Sequence, residues 1–361
     1  MTKPSFARPL LLPLVPLYRL ALVLRELRLR SGLEHVRPLR WPVLSIGNLS
    51  TGGAGKTPLV IALAKALTAR GLHVDVLSRG YGRKSKAPAF VDPSGTAEDF
   101  GDEPLLIARQ AAVPVYVAAQ RYQAGLLAES DNAGDVWKKQ EVSGHDFSRA
   151  GSSRKMSGAL APVASLHLLD DGFQHRQLAR DLDVLLLNRQ DLSDRLLPAG
   201  NLREPLRSAF RASVLAIPAE DPALEAELKA FGWQGPIWRL RRSMQVPPID
   251  GPVIAFCGIA RPAQFFAGIE SAGLHLASRI AFPDHHRYVA HDFDCLLDAA
   301  RTVRAAALLT TEKDRVRLGS LAQNFPASLP LQTAQLTIEV EDAAIDWIID
   351  CLTPVPPHPL R

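Results

Sequence analysis

Apolar and polar residues alternate along the chain in blocks that predict strands and helices in turn. Seven apolar runs have the length of buried strands, at residues 41–46, 72–77, 113–118, 166–170, 183–188, 251–258 and 305–311. Helical periodicity follows the first run at 57–69, and a further helix is predicted from about Pro262. Near-continuous apolar strands that alternate with helices are typical of a buried, mostly parallel sheet.

The pattern also predicts how the chain is divided. We predict an N-terminal segment at 1–40, a first α/β domain at 41–214 and a smaller C-terminal α/β domain at 215–361. Residues 129–160 break the pattern, because they are polar and rich in Ser, Gly and charge. We predict that they form an exposed, disordered insertion, in which His145 and Asp146 are solvated loop residues rather than catalytic ones.

The N-terminal segment changes the picture through its charge. The net charge of the chain is +5, and residues 1–40 carry eight Lys and Arg against two Glu, so the other residues sum to −1. A diffuse nucleic-acid-binding surface is therefore disfavoured, and we expect no nucleic-acid partner. The uncharged stretch at 9–18 is too short to span a membrane, which takes about 20 apolar residues.

Beyond that stretch, apolar and basic residues mix at helical spacing. Arg19, Arg25 and Arg28 leave free an apolar face of Leu20, Leu24 and Leu27. Such a helix can lie in a membrane interface, attracted by anionic lipid, or it can pack on the protein's own core. The concentration of arginine favours the membrane.

The bulk composition excludes several other classes. An apolar fraction of 47% and a charged fraction of 22% are those of a globular protein. Cys257, Cys295 and Cys351 are far apart and form no C-x-x-C pair, which argues against a disulfide scaffold or a zinc site and suits a reducing cytoplasm. We expect all three thiols to be buried.

The first strand ends in the sequence SIGNLSTGGAGKTP at 45–58, which predicts a phosphate-binding loop. The strict pattern has Gly where this chain has Ser50, a change that matters little if the φ angle is negative there. The candidate nucleotide-binding residues are Ser50, Thr51, Gly52, Gly53, Ala54, Gly55, Lys56 and Thr57. Loop amides and Lys56 would bind phosphates, and the Thr57 hydroxyl would ligate Mg²⁺. The alternative is a glycine turn with a surface lysine.

Carboxylates elsewhere complete a candidate site. The run LLDDG at 168–172 is typical of a strand that presents Asp170 to Mg²⁺, although Asp-Gly is also common in turns. GDEP at 101–104 by itself could be a helix N-cap, and PDHH at 283–286 could be a surface pair. The loop and LLDDG together predict an α/β protein with a P-loop NTPase-like, mostly parallel sheet and a second, smaller α/β domain.

The ordered set of motifs resembles the tetraacyldisaccharide 4'-kinase family, the lipid A pathway enzymes of Gram-negative bacteria. The motifs are SIGNLSTGGAGKTP at 45–58, SRGYGR at 78–83, GDEP at 101–104, LDDGFQHR at 169–176, LPAGNLREP at 197–205, GIARP at 258–262, FPDH at 282–285 and TTEKD at 310–314. The resemblance covers about residues 10–345. The family itself carries Ser or Thr at the position of Ser50, and it normally has few residues in place of the 129–160 insertion.

The resemblance implies an activity and a location. It implies transfer of the γ-phosphoryl group of ATP, with Mg²⁺, to the 4'-hydroxyl of a tetraacyldisaccharide 1-phosphate, which gives lipid IVA. It also implies a peripheral protein at the cytoplasmic face of the inner membrane. A lipid acceptor would account for the basic amphipathic N-terminus, and no obligatory protein partner is evident.

The resemblance also implies residue roles. Asp102 is expected to be the general base, paired across a cleft with His285, with the adjacent His286 as the alternative partner. Lys56 is expected to be catalytic, and Asp170 to bind Mg²⁺ together with Thr57. Support for metal, nucleotide or acceptor is expected from Glu103, Arg121, Asp171, Gln174, Arg203 and Glu204. A different class, a P-loop switch or metallochaperone-type NTPase, would have no use for an acceptor base.

Overall fold

The computed structural model describes residues 9–53, 55–142 and 165–352. The strands there are β1 Val43–Asn48, β2 His73–Ser78, β3 Ala89–Phe90, β4 Val115–Val117, β5 Ser165–Asp170, β6 Leu182–Leu186, β7 Val214–Pro218, β8 Ile237–Gln245, β9 Val253–Cys257, β10 Leu276–Ala281, β11 Ala307–Thr311 and β12 Leu331–Glu339. The α-helices are α1 Val15–Arg30, α2 Lys56–Ala69, α3 Ala97–Phe100, α4 Asp102–Ala111, α5 Arg121–Val142, α6 Arg189–Ser193, α7 Pro222–Ala230, α8 Pro262–Ser271, α9 Ala290–Val303, α10 Glu312–Leu318 and α11 Asp342–Leu352. Each of the seven predicted strands and both predicted helices is confirmed within a few residues.

The described strands form one mostly parallel sheet, as predicted. Their order is β10-β9-β11-β12-β8-β7-β6-β1-β5-β2-β4-β3. Neighbours run parallel except for the pairs β3 with β4 and β8 with β12. Strand β7 pairs with β6, so the sheet continues through the predicted boundary between 214 and 215. The division into domains 41–214 and 215–361 stays a prediction.

Strands β8 and β12 set the orientation of the two halves of the sheet. The first part of β8 pairs with β7, through Ile237 to Leu240, and its last five residues pair with β12. Strand β8 leads away from the first half, and β12 is antiparallel to it, so β12 points back toward the first half. Strands β11, β9 and β10 are parallel to β12 and point the same way. The carboxyl ends of the second-half strands therefore point toward the carboxyl ends of the first-half strands. In open α/β sheets ligands bind at these ends.

The core holds the loop-bearing strand rigidly. Every residue of β1 is buried, and α2 buries Leu59, Leu63 and Leu67 against the sheet. A Cβ on Gly47 would lie 2.5 Å from the Cβ of Phe173, so only glycine lets the segment after β5 cross β1 this closely. This close approach fixes the carboxyl ends of β1 and β5 side by side.

Two sequence expectations are wrong. Residues 129–142 are the continuation of α5 rather than a loop. Glu129 anchors the helix by accepting the N–H groups of Arg40 and Trp41. Residues 143–164, with His145 and Asp146, lie outside the described residues. Cys257 is buried, but two thiols are exposed, because Cys295 and Cys351 lie on outward-facing positions of α9 and α11.

Helix α1 lies on the surface and exposes its apolar face. It contains no buried residue, and Leu20, Leu24 and Leu27 are each more than half exposed. The opposite side packs Val15 and Tyr18 partly against a core cluster of the first half. A search of the described part of the chain finds no helix with the length and apolarity that a bilayer span requires.

Candidate active site

The loop between β1 and α2 has the backbone of a phosphate-binding turn. Gly52 and Gly55 have φ values of +89° and +88°, where a side chain would strain the backbone. Ser50 keeps a negative φ, so serine is tolerated at this position. Helix α2 begins directly after Gly55, and the N–H groups and partial positive charge of its N-terminus favour an anion. Ala54 lies outside the described residues.

Lys56 is held at the carboxyl edge of the sheet. Its Nζ donates to Asn48 Oδ1 at 2.8 Å and lies 3.2 Å from Asp171 Oδ1. Asn48 is the last residue of β1, and Asp171 follows β5 directly, so the two neighbouring parallel strands supply both partners. The lysine ammonium is therefore presented beside the turn.

Arg203 ties these groups together. Its guanidinium donates to Asn48 Oδ1 at 2.8 Å and to the carbonyl of Ser50. It also donates to both carboxylate oxygens of Asp171, at 3.0 and 3.2 Å, and to Gln174 Oε1 at 3.1 Å. Burial by itself would raise the pKa of Asp171, but the charges of Lys56 and Arg203 outweigh it and hold this pKa well below its usual range.

Asp170 is buried and only half satisfied. Its Oδ2 accepts from Ser78 Oγ at 3.2 Å, whereas Oδ1 has no hydrogen-bond partner. Burial raises the pKa of Asp170 to about 7, and the neighbouring carboxylates of Glu103 and Asp171 add to the shift. A cation placed against Oδ1 would give that oxygen a partner, and its positive charge would oppose the rise in the pKa of Asp170 that burial causes.

The donor set around Asp170 fits Mg²⁺. Thr57 is buried in the first turn of α2 and supplies a hydroxyl oxygen. Among the described residues, no group of three or more His, Cys, Asp or Glu side chains is placed to hold a metal. Mg²⁺ commonly uses one or two protein oxygens and takes its other ligands from water and phosphate, so Asp170 and Thr57 suffice.

Arg121 begins α5 behind the two aspartates. Its Nη2 donates to the backbone carbonyl of Asp171 at 3.3 Å, and its Nε is buried without a partner. Burial lowers the pKa of Arg121, and the charges of Asp171 and Asp170 partly oppose this. Arg121 therefore faces Asp170 and Asp171 rather than solvent.

Asp102 lies where the two halves of the chain meet. The second half of the chain supplies Arg317, whose Nε and Nη2 lie 2.7 and 2.5 Å from Asp102 Oδ2. His285 Nδ1 lies 3.4 Å from the same oxygen. Burial raises the pKa of Asp102, but His285, Arg317 and Lys313 together hold it far below its ordinary value. Asp102 is therefore ionised throughout the physiological range.

Glu103 links Asp102 to the phosphate loop. It pairs with Lys313 of α10, whose charge lowers the pKa of Glu103 against the effect of burial. Glu103 also interacts electrostatically with Asp170 and with Lys56. The residues around Asp102 and those around the loop thus form one charged site.

The two adjacent histidines have different partners. His285 has a φ of +57° and faces Asp102, with its ring centroid 5.5 Å from that of Tyr81. His286 points away, and its Nε2 lies 2.9 Å from Asp292 Oδ2. The geometry places His285, not His286, beside the candidate base.

Most of the predicted site residues converge, with one exception. Those at the loop and the facing carboxyl edges are Ser50, Thr51, Gly52, Gly53, Gly55, Lys56, Thr57, Asp102, Glu103, Arg121, Asp170, Asp171, Gln174, Arg203 and His285. Glu204 does not reach the loop. It accepts from Arg211 Nη2 at 2.6 Å and lies 3.7 Å from Arg25 of α1. Glu204 is buried, and its carboxylate is held by Arg211 and Arg25 on the side away from the loop.

The sequence analysis missed three residues. Asn48 accepts hydrogen bonds from both Lys56 and Arg203. It ends the SIGN run, and a polar residue at the end of a buried strand could have marked it as a site residue. Lys313 is part of TTEKD but received no role. Arg317 lies one helical turn after Asp314, and only this spacing could have pointed to it.

Helix α1 touches the site through its polar side. Tyr18 Oη donates to the carbonyl of Arg203 at 2.8 Å, and Arg25 donates to the carbonyl of Gln174. These two carbonyls belong to residues that hold Asn48 and Asp171. A single residue, Arg203, therefore connects the helix with the exposed apolar face to the phosphate loop.

Known proteins share this arrangement of sequence and fold. The sequence profile of the family described as Tetraacyldisaccharide-1-P 4'-kinase matches residues 7–353. A tetraacyldisaccharide 4'-kinase of Koribacter versatilis is 37% identical over 350 residues, which are 93% of this chain and 97% of that protein. The Aquifex aeolicus enzyme of the same name is 35% identical over 89% of this chain and 95% of its own length.

The fold comparison agrees. A crystal structure of LpxK from Aquifex aeolicus in complex with ATP matches with a TM-score of 0.68 and 30% identity, covering 96% of this chain and 100% of that one. Sequence and structure both match over nearly the whole length. The chain therefore belongs to the tetraacyldisaccharide 4'-kinase family.

Proposed function

We propose that this chain transfers the γ-phosphoryl group of ATP to the 4'-hydroxyl of tetraacyldisaccharide 1-phosphate, giving lipid IVA, at the cytoplasmic face of the inner membrane. One observation carries the residue assignments. Asp102 meets Arg317, Lys313 and His285 of the second half, and the adjacent Glu103 interacts electrostatically with Lys56 of the phosphate loop. Domains 41–214 and 215–361 would close this cleft on the substrates and keep water from the phosphoryl group.

On the donor side, the loop amides and Lys56 bind the ATP phosphates. Lys56 is already held in place by Asn48 and Asp171, so little ordering is needed when the phosphates arrive. Asp170 and Thr57 hold Mg²⁺, which neutralises charge on the phosphates when bound. Arg121 and Arg203 supply further positive charge at this end of the site.

On the acceptor side, Asp102 takes the proton of the 4'-hydroxyl. The hydroxyl oxygen bonds to the γ-phosphorus, the bond from that phosphorus to the bridging oxygen breaks, and ADP leaves with that oxygen. His285 and Arg317 keep the carboxylate ionised for this step.

At the membrane, α1 provides the docking face. Its exposed leucines enter the interface while the exposed Arg19 and Arg28 meet anionic headgroups. This places the acylated acceptor beside the cleft, because α1 contacts Arg203 and Gln174. Neither a nucleic acid nor an obligatory protein partner is part of the proposal.

A kinase assay tests the proposal. The full chain is incubated with labelled ATP, Mg²⁺ and the disaccharide 1-phosphate in detergent micelles, and labelled lipid is measured. We expect labelled lipid IVA, and we expect Asp102→Ala to lower kcat by about 10²-fold or more while ATP binding is kept. Asp131→Asn, an exposed change on α5, is the matched control and should leave kcat unchanged.

Two outcomes would contradict the proposal. An unchanged kcat in Asp102→Ala would remove that residue from the base role. Absence of labelled lipid, with ATP turnover that appears only when a protein is added, would instead favour a P-loop switch.

A further inference from the structure

We propose that Arg317 is a positioning residue for the transfer reaction, which fixes the Asp102 carboxylate so that its Oδ1 faces the acceptor hydroxyl. This inference rests on the proposed role of Asp102 as the base. It gives Arg317 part of the role that the family resemblance gave to His285 alone.

The contacts of Arg317 fix its side chain in one orientation. Nε and Nη2 both contact Asp102 Oδ2, at 2.7 and 2.5 Å. Nη1 donates to the carbonyl of Gly258 at 2.6 Å and to Asp314 Oδ1 at 3.0 Å. The guanidinium is planar and only 7% of the side chain is exposed, so these partners together leave it no freedom to turn.

Counting lone pairs shows what this does to Asp102. A carboxylate offers about four acceptor positions, two on each oxygen. Arg317 fills both positions on Oδ2. The N–H of Glu103 fills one on Oδ1, at 3.0 Å. One lone pair of Oδ1 is left to take a proton, so Arg317 selects the oxygen that acts as base.

His285 contacts both Arg317 and Asp102. Its Nδ1 lies 3.2 Å from Arg317 Nη2 and 3.4 Å from Asp102 Oδ2. The contact with Asp102 raises the pKa of His285, and His285 in turn lowers the pKa of Asp102. Arg317 makes the two shorter contacts with Oδ2, so Arg317 sets the orientation of the carboxylate while His285 adds to the charge around it.

The charges around Asp102 come from three elements. Arg317 and Lys313 face it from α10, His285 faces it from the turn after β10, and Glu103 adjoins it on α4. Asp284 interacts with Arg317 from the same turn as His285. Arg317 is the cation nearest to Asp102. Without Arg317, less positive charge opposes the rise in the pKa of Asp102 that burial causes.

The sign of the resulting pH effect follows from this balance. Loss of Arg317 raises the pKa of Asp102, because burial favours the neutral acid and the closest cation is gone. A protonated base cannot accept the hydroxyl proton. The activity deficit is therefore largest at acid pH and shrinks as pH rises. A purely structural role in holding Gly258 and Asp314 would reduce activity equally at every pH.

The test compares Arg317→Gln with the wild type in the micelle assay from pH 5.5 to pH 9. We expect kcat/KM for the acceptor to fall about 10²-fold or more at pH 6, and the deficit to shrink about 10-fold by pH 8.5. KM for ATP should stay within about threefold, because ATP binds at the loop. Arg315→Gln, an exposed change on the same helix, is the control and should match the wild type throughout.

A second variant covers the case in which Arg317→Gln does not fold. Arg317→Lys keeps the positive charge but cannot contact Oδ2 twice while holding Gly258. We expect kcat to be about 10-fold lower, with the KM values for ATP and for the acceptor unchanged. The pH below which activity falls should be the same as in the wild type. A wild-type kcat in Arg317→Lys, or a deficit in Arg317→Gln that is the same at every pH, would overturn the inference.

Asp102→Asn separates this inference from the proposed function. If Asp102→Asn keeps the wild-type rate, the base assignment fails and Arg317 has nothing to position. If Asp102→Asn is inactive while the deficit of Arg317→Gln does not change with pH, only the role of Arg317 is refuted. The double variant should be no slower than Asp102→Asn alone, because both changes remove the same step.

Discussion

The membrane-binding role of α1 gives a prediction whose size can be worked out. The perturbation is the simultaneous change of Leu20, Leu24 and Leu27 to serine. These side chains are 53%, 51% and 56% exposed, so about half of each is available for burial in a bilayer. Full burial of a leucine is worth about 1.5–3 kcal/mol, and half of that is about 1 kcal/mol for each residue. The three together give about 3 kcal/mol, or about 10²-fold in the partition coefficient.

The assay is co-sedimentation of the full chain with vesicles of anionic phospholipid. Stability should change little, since exposed substitutions usually alter the free energy of unfolding by about 0.5 kcal/mol or less each. Leu126→Ser is the matched control, because this leucine of α5 is 45% exposed and lies outside α1. A partition coefficient that falls less than about threefold in the triple variant would refute the assignment of this face to the membrane.

Three further predictions concern the site. Asp170→Asn should abolish transfer yet raise the Tm of the protein in EDTA at pH 8, by about 2 °C or more. The raised pKa of about 7 means that ionisation of Asp170 costs stability as pH rises from about 4 to about 7, so the gain should shrink as pH falls below about 7 and vanish near pH 4. Gly101→Ala should lower the free energy of unfolding by about 1–3 kcal/mol in a thermal melt, because φ is +92° and the new Cβ would lie 3.0 Å from the Tyr81 carbonyl oxygen. Asn48→Ala should raise KM for ATP about 10-fold in the kinase assay, since Lys56 and Arg203 lose their shared acceptor. A normal KM for ATP would show that Asn48 is dispensable.

Local sequence pattern was sufficient for most of the buried part of the fold, although it missed the buried strand β7. Strands such as β1 and β9 are buried at every position, so an unbroken apolar run predicts them. The loop could be placed because glycine, lysine and threonine at fixed spacing between a strand and a helix have one common structural use. Strands β8, β10 and β12 were missed because their residues are partly exposed and mixed in polarity.

The acceptor side of the site could not be read from local pattern. Arg317 and Asp102 are 215 residues apart, and their contact depends on the reversal of direction between β8 and β12. The same holds for Glu103 with Lys313, which are also far apart in the sequence and meet only in the fold. In the other direction, the resemblance grouped Glu204 with Arg203 as site residues, although the two side chains contact different partners.

Strand β12 has a consequence for the synthesis of the protein. Its first residues, Leu331 to Ala334, pair with β11, and the next five, Gln335 to Glu339, pair with β8. On the ribosome, the segment that joins both partners emerges close to the end of translation. Strand β12 and helix α11 also pack against α2, in the same core cluster as β1. The support of the phosphate loop and the contact of α10 with α4 are therefore both completed only when these last residues have left the exit tunnel.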